Sequence, residues 1–119
     1  MQTIDLAAKL ALFDERWTPR IVAELNGQHV KLAKLEGPFV WHHHAEEDEA
    51  FLVLHGRLTI ETRAGDFDLG PGQMLVVPRG VEHRPVAHGE VHVLLFEPAG
   101  TRNTGDVDDA RTVESPERI

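Results

Sequence analysis

Apolar and polar positions along this chain change rhythm once, near residue 20. Before that point, Ile4 to Phe13 (IDLAAKLALF) places apolar residues at 4, 7, 8 and 11 among the helix formers Ala, Leu and Lys. That spacing lines one side of a helix and predicts a short amphipathic segment. From Ile21 onward the pattern becomes short runs of Val, Leu, Ile, Thr and Phe broken by Gly, Pro, Asn and Asp, which is the punctuation of strands and turns. Asn26-Gly27 between IVAEL and QHVKLAKL predicts a tight hairpin joining strands at 21–25 and 28–35, because both residues tolerate positive φ. Val40–His44 reads as extended, and the loop Ala45–Asp48 leads into a strand over Glu49–Leu54 that His55-Gly56 should end in a turn. Leu58–Thr62 and Phe67–Leu69 form a further predicted hairpin, Met74–Val77 is a strand stopped by Pro78 and Gly80, and Val91–Phe96 is the last long strand.

About eight short strands with frequent turns predict an all-β, antiparallel sandwich or barrel preceded by one short helix. Three segments follow: an N-terminal extension over 1–20, the β body over 21–98, and a polar, turn-rich C-terminal extension over 99–119, ordered at its start and loose at its end.

The composition narrows the possible partners. Twenty acidic residues against twelve Lys and Arg give a formal net charge of −8, so a phosphate backbone or an anionic membrane surface would be repelled. No nucleic-acid or membrane partner is expected. The apolar runs Phe51–Leu54 and Val91–Phe96 fall well short of the roughly 20 residues that a membrane-spanning helix needs. Met1–Phe13 lacks the basic-then-apolar pattern of a secretory signal, so a cytoplasmic location is the expectation. With no cysteine, any metal must be held by His, Asp or Glu.

Candidate chemistry gathers in WHHHAEEDEAFLVLHG, Trp41 to Gly56. Side chains alternate along an extended segment, so His42 and His44 share one face while Trp41 and His43 take the other. Glu49 shares parity with Phe51 and Val53, which puts a carboxylate on an apolar face where something positive must compensate it. Glu46, Glu47 and Asp48 can stay in water. A second segment, GQMLVVPRGVEH from Gly72 to His83, carries a turn stiffened by Pro78 and Gly80 that could aim His83 inward.

These two segments resemble the paired motifs of the cupin superfamily, G(x)5HxH(x)3–4E(x)6G and G(x)5PxG(x)2H(x)3N. His42, His44, Glu49 and Gly56 fit the first, and Gly72, Pro78, Gly80 and His83 fit the second at every spacing. Gly37 stands one residue too near His42, and Ala87 replaces the final Asn, but neither departure removes a ligand. The resemblance implies an antiparallel jelly-roll β-barrel and one divalent metal ion, iron, manganese, nickel or zinc, held by His42, His44, Glu49 and His83. Three imidazoles and a carboxylate would leave open positions on an octahedral ion.

The first functional expectation is a dioxygenase acting on a small metal-chelating organic molecule. A non-redox isomerase, epimerase or lyase, including a sugar isomerase-like enzyme, is the alternative, and a non-catalytic binding or sensor barrel is a third. His92, which shares parity with Leu94 and Phe96, is the candidate catalytic base if that face lines the cavity. Lys34, which shares a face with Val30 and Leu32, could reach inward to hold an acidic group, but a lysine snorkelling at the surface is the simpler reading. Arg57, Arg63, Arg79 and Arg84 all fall at or near turns, which speaks against a phosphate-binding cluster. The resemblance, and the apolar residues on both faces of Glu49–Leu54, predict a homodimer.

Overall fold

Asn26 and Gly27 take positive φ (51° and 77°) and turn β1 (Arg20–Leu25) directly into β2 (Gln28–Pro38), as the Asn-Gly pair predicts. The computed structural model describes residues 1–119. Beyond that first hairpin it contains α1 (Leu6–Leu10), β3 (Glu49–Thr62), β4 (Gly65–Leu69), β5 (Met74–Val77), β6 (His83–Pro98) and β7 (Glu117–Arg118). The strand order is β4-β3-β6-β2-β1-β7, with β5 also paired to β3. Every pairing is antiparallel except that of β7 with β1. The fold is the expected all-β jelly-roll barrel with a short N-terminal helix.

Closure depends on the length of β3. Its first half pairs with β5 and its second half with β4, so the sheet curls around one interior filled by residues such as Leu35, Phe51, Val53, Ile60, Val91 and Val93. A second, smaller apolar layer forms on the outer face, where Phe13 of the N-terminal segment packs with Val22 and Leu32, flanked by Leu6 and Leu10. The helix is shorter than its periodicity suggests. Asp5 caps it by accepting from the Ala8 amide at 3.1 Å, and it ends after five residues so that the chain can swing Phe13 onto the sheet.

His55-Gly56 is a bulge rather than a turn. The β3–β6 register slips on both sides of His55, and β3 continues to Thr62. Gly56, at φ +87°, lies against β6 so closely that a Cβ would come within 2.5 Å of the Glu90 carbonyl oxygen. The bulge also exchanges faces: Glu49, Phe51 and Val53 are buried before it, Leu58 and Ile60 after it. Strand β6 likewise starts at His83 rather than Val91, and its first half pairs with the end of β3. Pro85 and Gly89 obscure its alternation in the sequence. Val40–His44, expected as a strand, is irregular apart from a single bridge between His42 and His83.

The C-terminal extension packs against the barrel throughout, including the end expected to be loose. Arg20 and Ile21 of β1 pair with Glu117 and Arg118, and the Ile119 amide donates to the Ile21 carbonyl at 3.0 Å. No helix is long and apolar enough to cross a membrane.

The bulge makes a direct prediction. Gly56→Ala should destabilise the protein by about 2–4 kcal/mol in chemical denaturation, combining left-handed strain with a backbone clash. Gly27→Ala, at φ +77° with nothing within 4 Å of a Cβ, should cost only about 1 kcal/mol. Equal losses in the two variants would show that the close approach to β6 carries no weight.

Candidate metal centre

The mainly apolar barrel interior is interrupted where four polar side chains from three parts of the chain converge beside the buried Lys31–Glu97 pair. His42 and His44 come from the irregular segment before β3, Glu49 opens β3, and His83 opens β6. All four are buried, and one ligand atom from each lies within 4.8 Å of every other. Glu49 Oε1 is 3.5 Å from both His44 Nε2 and His83 Nε2. The sequence-predicted quartet is therefore brought together.

Local contacts fix how these rings present themselves. The His42 and His83 Nδ1 atoms each lie 2.9 Å from a carbonyl oxygen, of Val40 and Val81 respectively. A carbonyl only accepts, so each Nδ1 carries the proton and each Nε2 offers a lone pair to the centre of the cluster. The segments holding the rings are tied together as well. His42 and His83 exchange backbone hydrogen bonds at 2.9 and 3.0 Å, and the Gly80 amide donates to the His44 carbonyl at 2.8 Å. Asp48, expected to remain free in water, is exposed but accepts from the Arg79 amide at 2.8 Å and pairs with its guanidinium, joining the acidic loop to the Pro78–Gly80 turn.

The C-terminal extension supports the histidine segment from behind. His43, which points away from the cluster, donates its amide to Asp106 Oδ1 at 2.9 Å, while the Asp106 amide donates to the His43 carbonyl at 3.1 Å. Gly105 lies so close that a Cβ would meet the His43 carbonyl oxygen at 2.2 Å and His42 Cδ2 at 2.9 Å. Only glycine fits there.

Electrostatics within the cluster are strained. Burial strips water from the His42 ring and His83 repels its charge, lowering its pKa to about 4. Burial pulls His44 down too, but the Glu49 carboxylate outweighs it and leaves His44 above the ordinary histidine value. Glu49 adjoins a second buried carboxyl, Glu97. Burial raises Glu49, yet Glu97, His44 and His83 overcome it and hold Glu49 well below the usual carboxylate range. Burial and the Glu49 charge together push Glu97 well above it. Glu97 is held by the buried Lys31, whose Nζ donates to Glu97 Oε1 at 2.8 Å and to the Thr101 carbonyl at 3.2 Å.

Several buried polar atoms here have no partner within the protein: both ring nitrogens of His44, His83 Nε2 and Glu49 Oε1. Such atoms normally cost stability unless something satisfies them. Nitrogen and carboxylate donors are the ligand set of a divalent transition metal, and bonds of about 2.1 Å would place ligand atoms about 3 Å apart when adjacent and about 4.2 Å apart when opposed. The cluster matches that scale after slight contraction, so the residues present fit a metal ion.

An apolar cavity opens beside the cluster. Trp17, Leu35, Phe39, Phe51 and Leu95 are among its walls, with His42 and Glu49 on its polar side, and its inner space is narrow, about 30 Å³.

The family model for the Cupin domain matches residues 28–97. The chain is a cupin. A cupin-2 domain containing protein from Shewanella frigidimarina, of known crystal structure, is 45% identical to this cupin, with 81% of this chain and 94% of that one covered at a TM-score of 0.79. A Neisseria meningitidis protein of known structure is 31% identical, covering 82% of this chain and all of its own (100%) at a TM-score of 0.75. The uncharacterized protein YdbB of Bacillus subtilis is 38% identical over 64 residues, which are 53% of this chain and 57% of that relative's length.

One expectation about the cavity, that of His92 as its base, needs correction. Its walls include Val93 and Leu95, so His92, of opposite parity, projects to the outer face. There its Nε2 is 2.5 Å from Glu90 Oε2 and its ring is 4.9 Å from that of His55. Lys34 faces outward, in keeping with the simpler reading of it, and donates to the Phe13 carbonyl at 2.7 Å beneath the N-terminal segment. The sequence reading missed Glu97 and Lys31. Their signal is parity, since Lys31 shares a face with Ala33 and Leu35, and Glu97 with Val93 and Leu95.

The His42 shift has a pH consequence in the metal-free protein. Its folded value of about 4 lies below the ordinary 6.5, so the unfolded chain takes up the proton first as pH falls. The stabilisation is complete above about pH 6.5 and is lost as pH falls through about 4, amounting to roughly 3 kcal/mol at most. Glu97 acts in the opposite sense, but equally in wild type and in His42→Gln. The stability difference between those two proteins should therefore shrink from pH 7 to pH 4 in urea titrations, and a constant difference would disprove the assignment.

Proposed function

We propose that this cupin is a metalloenzyme of dioxygenase type that binds one divalent metal ion through His42, His44, Glu49 and His83 and acts on a small metal-chelating organic molecule. The observation that supports it is the convergence of four buried ligand residues, three of which (His44, Glu49 and His83) carry atoms unsatisfied by the protein, at the wall of an apolar cavity. When bound, the metal would supply Lewis acidity and open coordination positions for substrate and O2. The chain's own part is to fix the rings through the Val40 and Val81 carbonyls, to keep water away with Phe39, Phe51 and Leu95, and to hold Glu49 ionised. A non-redox isomerase needs a base beside the metal. Outside the quartet, the cavity walls carry no histidine, lysine or carboxylate, and this favours the oxygen-dependent reading.

Metal content measured by mass spectrometry on untagged protein tests the site. Wild type should hold close to one ion per chain, and His42→Ala and His83→Ala should each lower occupancy at least about tenfold at equal total metal. Oxygen uptake by the iron(II)-loaded protein with chelating substrates tests the reaction class. Stoichiometric metal without oxygen uptake across such substrates would move the assignment to non-redox chemistry, and no metal after reconstitution with iron, manganese, nickel and zinc would end the metalloenzyme reading.

The same proposal includes a homodimer formed through the outer face of the sheet. Register aligns Val76, Ala50, Phe96 and Val30 in one row across four strands, and Met74, Leu52, Leu94 and Leu32 in the next. The N-terminal segment covers only the Leu32 side, leaving Met74 60%, Val76 53% and Phe96 39% exposed. Neither row contains a charge, so the patch can pack against its own copy without repulsion or unpaired ions. Light scattering should report twice the 13.3 kDa chain mass, and Met74→Glu with Phe96→Glu should yield a folded monomer. A wild-type monomer at micromolar concentration would refute this.

A further inference from the structure

Every arginine of the chain but one is ion-paired with a carboxylate. The exception is Arg57, whose guanidinium has no partner within the protein although twenty acids stand against twelve Lys and Arg. Register sets Arg57 of β3 directly opposite His88 of β6, and Thr59, two residues further along β3, opposite Asp68 of β4. Past the His55-Gly56 bulge these side chains face outward, because Leu58 and Ile60 fill the core. Arg57, Thr59, Asp68 and His88 supply the polar groups around an open cleft of about 270 Å³ on the outside of the barrel.

A hydrogen-bonded chain forms the floor of this cleft. The buried Thr59 hydroxyl donates to Asp68 Oδ1 at 2.6 Å and lies 2.8 Å from His88 Nε2. A hydroxyl has one proton, and here the carboxylate receives it, so His88 donates to Thr59 from Nε2. The tether draws Asp68 onto β3 and leaves Oδ2 without a partner. Asp68 takes part in no ion pair, not even with Arg57, although both line the same cleft. The two occupy diagonal positions on neighbouring strands, about 7–8 Å apart in a regular sheet. Opposite charges thus face one space without meeting across it.

We infer that this cleft is a second ligand site, which takes a small α-amino acid with its carboxylate on Arg57 and its ammonium on Asp68. The molecule that fills the gap must accept hydrogen bonds at one end and donate them at the other. An α-amino acid does so across a single carbon, with a hydrogen bond of about 2.9 Å at each end. A plain anion would meet the Asp68 carboxylate and the repulsion of a chain whose formal net charge is −8, and a plain cation would meet Arg57. A zwitterion, neutral overall, avoids both. The cleft is smaller than the roughly 300–1,000 Å³ of sites for drug-sized molecules, which suits a ligand of a few heavy atoms.

The His88 ring protons of the full-length protein report on the cleft in NMR spectra, assigned by their absence from His88→Gln. L-Alanine should shift them saturably, with a dissociation constant of about 1 mM or below. Acetate and methylammonium, which each carry one of its two charges, should bind at least about tenfold more weakly. Arg57→Gln and Asp68→Asn, both at exposed positions, should each weaken L-alanine at least about tenfold with metal content unchanged.

Acetate, methylammonium or inorganic phosphate binding as well as L-alanine would overturn the inference, since one charge would then suffice. So would unaltered L-alanine binding in either variant, or no saturable shift up to about 20 mM. The inference does not rest on the metal reading, and none of these results bears on it.

Discussion

Glu49 sets the central constraint on this molecule. A carboxylate at 4% exposure inside a β-barrel is tolerated only if charge and hydrogen bonding replace the water it has lost. Two imidazoles at 3.5 Å and the neighbouring Glu97, backed by Lys31, provide part of that replacement. The unpartnered ring nitrogens around it show that the replacement is incomplete within the protein alone. A cation at the centre would supply the remainder, which makes the apolar barrel and the polar cluster two parts of one arrangement: the first excludes water, and the second needs something other than water.

Regular strands supply only half of the quartet. Glu49 and His83 begin β3 and β6, whereas His42 and His44 lie in an irregular stretch whose position is set from outside. The Pro78–Gly80 turn holds that stretch through the His44 carbonyl, and the C-terminal extension holds it through Asp106 and the close approach of Gly105. A site built in this way depends on loops for precision, so its accuracy rests on backbone hydrogen bonds and one obligatory glycine more than on the barrel itself.

Much of this was legible in the sequence because the relevant signals are local. Turn residues mark the strand ends, and fixed spacings mark His42, His44, Glu49 and His83. What could not be read was which face of β2 and β6 points inward. Both parities are apolar there, Ala33, Leu35, Val93 and Leu95 on one side and Val30, Leu32, Leu94 and Phe96 on the other, because the outer face is partly covered by the N-terminal segment. Alternation therefore gives no sign to choose by, and it points to His92 and Lys34 as readily as to Glu97 and Lys31. The His55-Gly56 bulge escaped for a related reason. Glycine at positive φ serves a turn and a bulge alike, and only the closeness of β6 distinguishes them. The support from Asp106 is a contact across 63 residues that no local pattern encodes.

That long-range support bears on how the protein reaches its native state. Asp106 meets His43, Arg111 meets Pro38, and β7 pairs with β1 across nearly the whole chain. Contacts between such distant segments close large loops and form slowly compared with the hairpins of β1–β2 and β3–β4. A nascent chain can thus assemble most of its sheet while His42 and His44 still lack their backing, so the four-residue cluster takes its final geometry late in folding, after residues 105 and 106 have docked.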